Sequence, residues 1–218
     1  MALDEKRRQK KLARKAAKRK KVLETRRSES SGSGGFSAER LMAAAAAGPI
    51  HECLVPAGLF EMGIGSVVVS RKMPNGEIGF SLFLIDVYCL GVKNAFFSVR
   101  PRIEYEGFMG RISEKETLQP EEPACAVKLI RSAEAYARDL GLNAHPDYAF
   151  ARRIFADMDP AACSREFTFG QDGKPFYVSG PNETEADSQR IMDLLTKKLG
   201  ADGFHYMLRV GMDEEWEP

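Results

Sequence analysis

The strongest constraint on this chain is the division of its charge. Residues 1–27 contain 13 Lys and Arg against 3 Asp and Glu, a formal charge of +10, whereas residues 28–218 contain 19 against 28, a formal charge of −9. The net charge of +1 hides this division. Blocks of like charge repel one another and seldom belong to one cooperative fold. The sequence therefore predicts a basic N-terminal tail over residues 1–27, physically separate from the rest of the chain.

A segment rich in Ser and Gly follows the tail over residues 28–36, and its composition is typical of a flexible linker. The remaining residues, 37–218, are long enough for one medium-sized domain. The hydrophobic fraction of the chain, 44%, is sufficient for a buried core. We therefore expect a single compact α+β domain over residues 37–218.

The tail consists mainly of residues that favour helix, but its like charges lie three and four positions apart and repel. We expect it to be disordered in isolation, or to form one helix when a polyanion screens the charge. Cations in this arrangement favour contact with the phosphates of nucleic acid or ribonucleoprotein. The predicted contact residues are Lys6, Arg7, Arg8, Lys10, Lys11, Arg14, Lys15, Lys18, Arg19, Lys20, Lys21, Arg26 and Arg27.

Two other interpretations of the tail remain open. It is also typical of a solubilising arm, or of a nuclear-import signal in a eukaryotic host. A membrane-surface helix is disfavoured, because residues 1–27 contain no Trp, Phe or Ile to form an apolar face. The tail also lacks aromatic residues that would stack on bases, so it predicts contact through charge without sequence specificity.

Residue patterns in the domain predict its strands and helices. β-branched and apolar residues around turn signals predict an antiparallel β-meander over about residues 64–99 and a second hairpin over residues 167–178. Further strands are expected over residues 50–55 and 204–210. Helical spacing with capping residues predicts helices over 38–47, 124–140, 147–158 and 182–199, the last capped by Asn182. No repeated βαβ pattern is present, so the predicted class is α+β, a sheet packed with three to four helices.

The spacing of the cysteines gives an indication of the cellular compartment. Cys53, Cys89, Cys125 and Cys163 lie 36 to 38 residues apart, without the close pairs of a disulfide framework or a zinc site. The charged N-terminus lacks an apolar signal region, and the longest apolar run, residues 80–92, is too short to span a bilayer. We expect no disulfide framework, no membrane contact, and a cytoplasmic protein (nuclear if the host is eukaryotic).

Asp86 is the most suggestive candidate for chemistry, because it lies within an apolar run and an isolated buried carboxylate is costly. It is either a metal ligand of a nuclease-like site or a structural residue that pairs with Lys93 or Arg71 or caps a turn. A metal-dependent nuclease needs several converging carboxylates, and no second carboxylate-bearing strand is evident. The structural role is therefore favoured.

Cys89, three residues after Asp86, would be a nucleophile if His51 or His205 lay beside it as a base. His51 and Cys53 share one face of a predicted strand and would form a metal site with His205, but no further ligand pair supports it. Glycines over residues 169–182 lack phosphate-loop spacing. The catalytic candidates are therefore Asp86, Cys89, His51 and His205, and no metal or cofactor is predicted.

The residues favour a non-enzymatic binding or adaptor protein, in which the tail contacts nucleic acid or ribonucleoprotein and the acidic α+β domain binds a protein partner. The alternative is a small metal- or cysteine-dependent hydrolase or nuclease centred on Asp86 and Cys89. In a third interpretation, the tail folds onto the acidic domain until a polyanion competes for it.

Overall fold

The computed structural model describes residues 37–180 and 183–208. The basic tail, the linker and the expected helix cap Asn182 lie outside these residues. The helices are α1 (Ala38–Ala46), α2 (Leu59–Met62), α3 (Arg102–Ser113), α4 (Pro123–Asp139), α5 (Tyr148–Ala151) and α6 (Glu185–Leu199). The strands are β1 (Ile50–Pro56), β2 (Ile64–Lys72), β3 (Ile78–Asp86), β4 (Gly91–Arg100), β5 (Leu118–Pro120), β6 (Phe176–Val178) and β7 (His205–Met207). Two short 3₁₀ helices cover Arg152–Phe155 and Pro160–Ala162.

The predicted α+β class is confirmed, and its centre is the predicted meander. Strands β2, β3 and β4 pair antiparallel, with Ile64 opposite Asp86 at one end and Lys72 opposite Ile78 at the other end of the first pair. Strand β1 pairs with β2 and carries the short β5 on its outer side, which gives the order β4-β3-β2-β1-β5. The turn signals were sufficient to predict strands β2 to β4, because the β2–β3 and β3–β4 connections are hairpins between strands that are neighbours in sequence.

The sheet is buried on both faces, as the apolar residues of β3 require. One face packs against α4, and its core includes Val67, Val69, Phe83, Ile85, Val127, Ile130 and Ala133. The opposite face packs against α3, and its core is Val68, Ile78, Phe80, Leu82, Tyr105 and Met109. A third cluster, at the end of the sheet where β3 stops, joins the β3–β4 turn to α6 and to the strand pair β6–β7.

Helix α3 was not predicted, although it packs against the face of the sheet opposite α4. Its inward contacts are Tyr105 and Met109, one turn apart, while Ile103 is 80% exposed. An apolar side chain on the outer face weakens the amphipathic pattern on which sequence prediction depends. Gly107 and Gly110 lower the helix propensity further.

The second predicted hairpin is much smaller than expected. Over residues 167–178 the antiparallel pairing is limited to an isolated bridge between Gln171 and Lys174. Strand β6 then pairs in parallel with β7, which is distant in sequence, so the partner of Phe176 is His205. A turn signal predicts local reversal, but it carries no information on a long-range parallel partner. Helix α6 begins later than predicted, with a capping box between Thr184 and Asp187.

One disulfide bond is present, although the cysteine spacing predicted no disulfide framework. Cys125, in the first turn of α4, is bonded to Cys163, which follows the second 3₁₀ helix, at a sequence separation of 38. Closing a loop of this length restricts the unfolded chain and stabilises the fold by about 4 kcal/mol in the chain-entropy picture. The spacing gave no sign of the bond, because the two residues meet only through tertiary packing. Cys53 and Cys89 are free and buried.

A buried arginine on β2 holds the segment that follows α5. The Arg71 guanidinium is 3% exposed and lies on the sheet face that packs against α4. Its Nε donates to the carbonyl oxygen of Ile154 (2.9 Å), and Nη1 donates to that of Gly48 (2.7 Å). Nη2 donates to the carbonyl oxygen of Phe155 (3.1 Å) and to Asp157 Oδ1 (2.6 Å). A buried charge persists only with such partners, so the acceptors and the cation stabilise one another.

The same interaction explains why the helix predicted over residues 147–158 is broken. The backbone leaves the α conformation after Ala151, and Ala156 adopts a positive φ of 44°. This conformation is unfavourable for a non-glycine residue by about 1–3 kcal/mol. It turns the carbonyl oxygens of Ile154 and Phe155 inward, where Arg71 binds them. The bonds to the buried guanidinium offset the strain.

Replacement of Arg71 by Met should lower the free energy of unfolding by about 3 kcal/mol, because it leaves three carbonyl oxygens without their charged donor. Urea unfolding followed by circular dichroism measures the change. Arg102→Met, at a site where the arginine is 68% exposed, is the matched control and should change stability by less than about 0.5 kcal/mol. Equal effects of the two substitutions would show that Arg71 does not hold this segment.

Candidate anion-binding site

Asp86 caps the turn between β3 and β4. One of its carboxylate oxygens, Oδ1, accepts hydrogen bonds from the backbone N–H groups of Tyr88 (2.9 Å) and Cys89 (2.8 Å). Burial raises the pKa of this carboxyl, while the two N–H donors and the charge of Lys93 oppose the rise. Gly91 completes the turn at a φ of 63°, where an added Cβ would lie 2.5 Å from the backbone oxygen of Ala133 in α4. The turn-capping role expected as one structural possibility is present.

The catalytic candidates do not converge. Asp86 and Cys89 are adjacent in the turn, but Cys89 is fully buried in an apolar cluster, and burial raises the pKa of its thiol. His51 lies at the other end of the sheet, beside Ser70 and Arg71 in the β1–β2 pairing, whereas Asp86 pairs with Ile64. Six residues of extended strand separate Ser70 from Ile64, a distance of about 20 Å.

The second histidine candidate is nearer in the fold but points elsewhere. His205 is exposed at the start of β7, while the preceding residue, Phe204, is buried in the same cluster as Cys89. The backbone N–H of His205 donates to the carbonyl oxygen of Pro175 (2.8 Å). No hydrogen bond or ion pair among the described residues joins a histidine to Asp86 or Cys89. Asp86 and Cys89 therefore have no histidine base in this arrangement.

A metal centre is also not formed within residues 37–180 and 183–208, where no three His, Cys, Asp or Glu side chains are placed to share an ion. Cys53, the expected metal partner of His51, is buried, and burial raises the pKa of its thiol to about 12. None of the helices in the described part of the chain is both long enough and apolar enough to cross a membrane.

The structure instead brings arginines together. An open cleft of about 800 Å³ lies between α4 and the segment from α5 to Ala156. Its charged lining consists of four arginines and one glutamate, a formal charge of +3: Arg131, Arg138, Arg152, Arg153 and Glu134. The remaining lining residues are Ala46, Ala135, Tyr148, Phe155 and Ala156. A site of this charge favours anions, because each guanidinium offers a planar set of N–H donors to phosphate or carboxylate oxygens.

Each arginine of the cleft has a support that limits its motion. Arg131 lies over the ring of Phe155 (5.9 Å to the centroid), and Arg152 lies over that of Tyr148 (5.6 Å). Arg153 lies over the ring of Phe150 (5.4 Å). Arg138 forms an ion pair with Glu134 one turn earlier on α4, at 3.2 Å. Cation–π contacts restrict a side chain without neutralising its charge, so Arg131 and Arg152 are pre-oriented by the rings that they cover.

The aromatic rings of the cleft serve the core and are not available to a ligand. Tyr148 is 5% exposed and Phe155 is 2% exposed. Both rings pack on Phe83 of the sheet, with centroid distances of 6.1 and 5.3 Å. Because base stacking needs an open ring face, the cleft is suited to charged groups and offers no platform for nucleobases.

The segment that carries Arg152 and Arg153 is fixed from the sheet side. Ser81 of β3 donates its hydroxyl to the carbonyl oxygen of Ala151 (2.8 Å), directly before the two arginines. Arg71 holds the carbonyl oxygens directly after them. Two buried polar side chains of the sheet thus set the position of one wall of the cleft.

The sequence contained a partial signal for this site that the prediction did not use. Arg131 and Arg138 are seven residues apart, which places them on one face of the predicted helix two turns apart. Arg152 and Arg153 are adjacent in the next predicted helix. No pattern indicated that the two pairs would face each other, because that depends on how the helices pack.

Replacement of Asp86 by Asn keeps the oxygen that accepts the turn N–H groups and removes a buried charge. Because the folded-state pKa of Asp86 is raised, protonation of this carboxyl stabilises the fold. The contribution is complete below the unfolded pKa of 3.8 and is lost as the pH rises through the higher folded-state pKa. We expect Asp86→Asn to leave the free energy of unfolding at neutral pH unchanged or higher. The fall in this free energy as the pH rises should be smaller than in the wild type. Asp86→Ala, which removes the acceptor, should lower the free energy of unfolding by about 1–3 kcal/mol. Urea unfolding across a pH series measures both; equal losses in the two variants would exclude the capping role.

Comparison with known proteins gives no family for this chain, since no family model, no curated protein and no solved structure matches it. The geometry of the cleft and the distribution of charge are therefore the observations that bear on function.

Proposed function

We propose that this protein is a non-enzymatic binder of nucleic-acid backbones, in which the arginine cleft contacts phosphate groups and the basic tail adds further phosphate contacts. The observation that carries the proposal is the convergence of Arg131, Arg138, Arg152 and Arg153 on one cleft of a domain that is otherwise acidic. The acidic excess of the domain does not explain why four arginines line the same cleft. A function that needs them to do so is binding of an anion.

The class of anion follows from what lines the cleft. Buried rings exclude base stacking, and the guanidinium groups provide the planar donors that match phosphate oxygens. Contact with phosphates alone is independent of base sequence and depends strongly on salt. The tail, with 13 Lys and Arg and no aromatic residue, has the same character. We propose that both parts bind the backbone of one polyanion.

The acidic surface outside the cleft has a different role in this proposal. Residues 28–218 carry a formal charge of −9 even with the four cleft arginines included. A negatively charged surface repels nucleic acid, so we propose that this surface contacts a protein partner instead. The chain then joins such a partner to nucleic acid or ribonucleoprotein, in the manner of an adaptor.

The double variant Arg152→Gln/Arg153→Gln tests the cleft in the full-length protein. Affinity for a fluorescently labelled single-stranded RNA, measured by anisotropy from about 50 to 200 mM salt, should fall relative to wild type. The log–log salt slope should become shallower by about 1.4, since each lost phosphate contact on a single strand removes about 0.7.

The matched control is Arg102→Gln/Arg190→Gln, which removes the same charge from two exposed sites outside the cleft. This variant should keep nearly the wild-type slope. Deletion of residues 1–27 measures the tail contribution separately. If the cleft variant and the control behave alike, charge alone governs binding and the cleft has no specific role.

A further inference from the structure

A second, mainly apolar pocket adjoins the arginine cleft. This pocket has a volume of about 630 Å³, and most of its lining comes from the chain at the end of α1: Ala46, Ala47, Gly48, Pro49 and Ile50. Ala46 and Ala156 line both the cleft and the pocket, so the two adjoin. The charged residues of the pocket, Arg71 and Asp157, are paired with each other at 2.6 Å. The combined groove therefore offers unneutralised cationic charge on one side and apolar surface on the other.

One segment of this chain has the chemistry that both parts of the groove require. Residues 212–218, which lie outside the described part of the structure, contain four carboxylates and no Lys or Arg, a formal charge of −4: Asp213, Glu214, Glu215 and Glu217. The single tryptophan of the chain, Trp216, lies among them. Carboxylates match the planar donors of guanidinium groups as phosphates do. An indole ring gains from contact with apolar surface.

The position of β7 brings this acidic segment within reach of the cleft. Phe204, directly before β7, is buried in the same apolar cluster as Ala137, the neighbour of Arg138 on α4. Arg131 lies seven residues earlier on α4, about 10 Å along the helix axis at 1.5 Å per residue. The ten residues from Phe204 to Glu214 span up to about 33 Å when extended. The chain after β7 is therefore long enough to follow the cleft.

The order of groups along the groove agrees with their order along the segment. Arg138 is the cleft arginine beside the cluster that contains the residue before β7. Arg131 lies over Phe155, whose neighbour Ala156 also lines the apolar pocket. A chain that enters beside Arg138 thus meets the arginines first and the apolar pocket afterwards. In the segment, the carboxylates of residues 213–215 likewise precede the tryptophan.

We propose that residues 212–218 bind the arginine cleft and its apolar pocket when no polyanion is present, and that nucleic acid must displace them. Displacement by nucleic acid rests on the proposed function, since it concerns regulation of the same site. A tethered segment has an effective concentration on the order of millimolar at its site. Even a weak contact then occupies the cleft for much of the time, and the apparent affinity for nucleic acid falls by the fraction of protein with a free cleft.

Neutralisation of the segment in the full-length protein tests the competition. The variant Asp213→Asn/Glu214→Gln/Glu215→Gln/Glu217→Gln should bind the labelled single-stranded RNA about fivefold more tightly or better, in the usual range of coupling free energies. The matched control removes the same charge from exposed sites that line neither the cleft nor the pocket, with Glu61→Gln/Glu104→Gln/Glu114→Gln/Asp202→Asn. The control should give a much smaller gain. Equal gains would overturn the proposal, because the general change in charge would then explain both.

The gain in affinity should also depend on the cleft. In the Arg152→Gln/Arg153→Gln protein, neutralisation of the segment should raise RNA affinity less than it does in the wild type, because the cleft holds the segment less firmly. An undiminished gain would show that the segment acts elsewhere, and the proposal would fail.

Trp216 reports on the segment without RNA, because the chain has no other tryptophan. Acrylamide should quench its fluorescence less in the full-length protein than in a synthetic peptide of residues 209–218. Arg152→Gln/Arg153→Gln should raise the quenching toward that of the peptide, whereas Arg102→Gln/Arg190→Gln and deletion of residues 1–27 should not. Quenching equal to that of the peptide in the wild type would overturn the proposal. Protection lost on deletion of residues 1–27 and kept in the cleft variant would also overturn it, in favour of contact with the basic tail.

The two readouts separate this proposal from the proposed function. Cleft-dependent protection of Trp216, together with RNA affinity that is independent of the cleft arginines, would support binding of the segment and defeat the proposed function. Cleft-dependent RNA affinity, with an unprotected Trp216 and no gain on neutralisation, would defeat the role of the segment alone.

Discussion

The arrangement of this domain around its cleft depends on one buried cation. Arg71 projects from the central sheet into the core and satisfies its guanidinium with four acceptors from two separate connections. Three of the four acceptors are backbone carbonyl oxygens, and two of these, from Ile154 and Phe155, lie where the predicted helix would have continued. A regular helix through residues 152–157 would turn these two oxygens onto its own N–H groups and leave the buried Arg71 without two of its four acceptors. The broken helix and the buried charge therefore require each other.

This interaction has a consequence for the surface. Breaking the helix after Ala151 places Arg152 and Arg153 on the wall opposite α4, where Arg131 and Arg138 lie. A cation within the core thus positions cations at the surface. The cleft is positively charged although the domain as a whole is negatively charged. Salt screens charges that lie farther apart than about 8–10 Å, so the groups lining the cleft govern the binding of an anion there. Net charge was a poor guide to this part of the domain.

How much could be predicted from the sequence depended on the range of the interactions. The β2–β4 meander and helix α4 were predicted well, because turn signals and helical periodicity are local patterns. The turn-capping role expected as one possibility for Asp86 is present. The two suggested ion-pair partners have other partners: Lys93 pairs with Glu183 and Arg71 with Asp157. Helix α3, the β6–β7 pair and the Cys125–Cys163 bond were missed. The first lacks a clear amphipathic pattern, and the other two join residues distant in sequence. The cleft was missed for the same reason, since its two arginine pairs meet only when α4 packs beside the chain that follows it.

The central claim is that the cleft arginines, as distinct from arginines elsewhere in the protein, contact phosphate. Nuclear magnetic resonance of arginine Nε–H groups tests it most directly, in a titration of the oxidised full-length protein with single-stranded RNA. We predict that the signals of Arg131, Arg138, Arg152 and Arg153 shift together and saturate, while those of Arg102 and Arg190 do not move. Shifts confined to the arginines of residues 1–27, with the cleft signals unchanged at saturation, would contradict it.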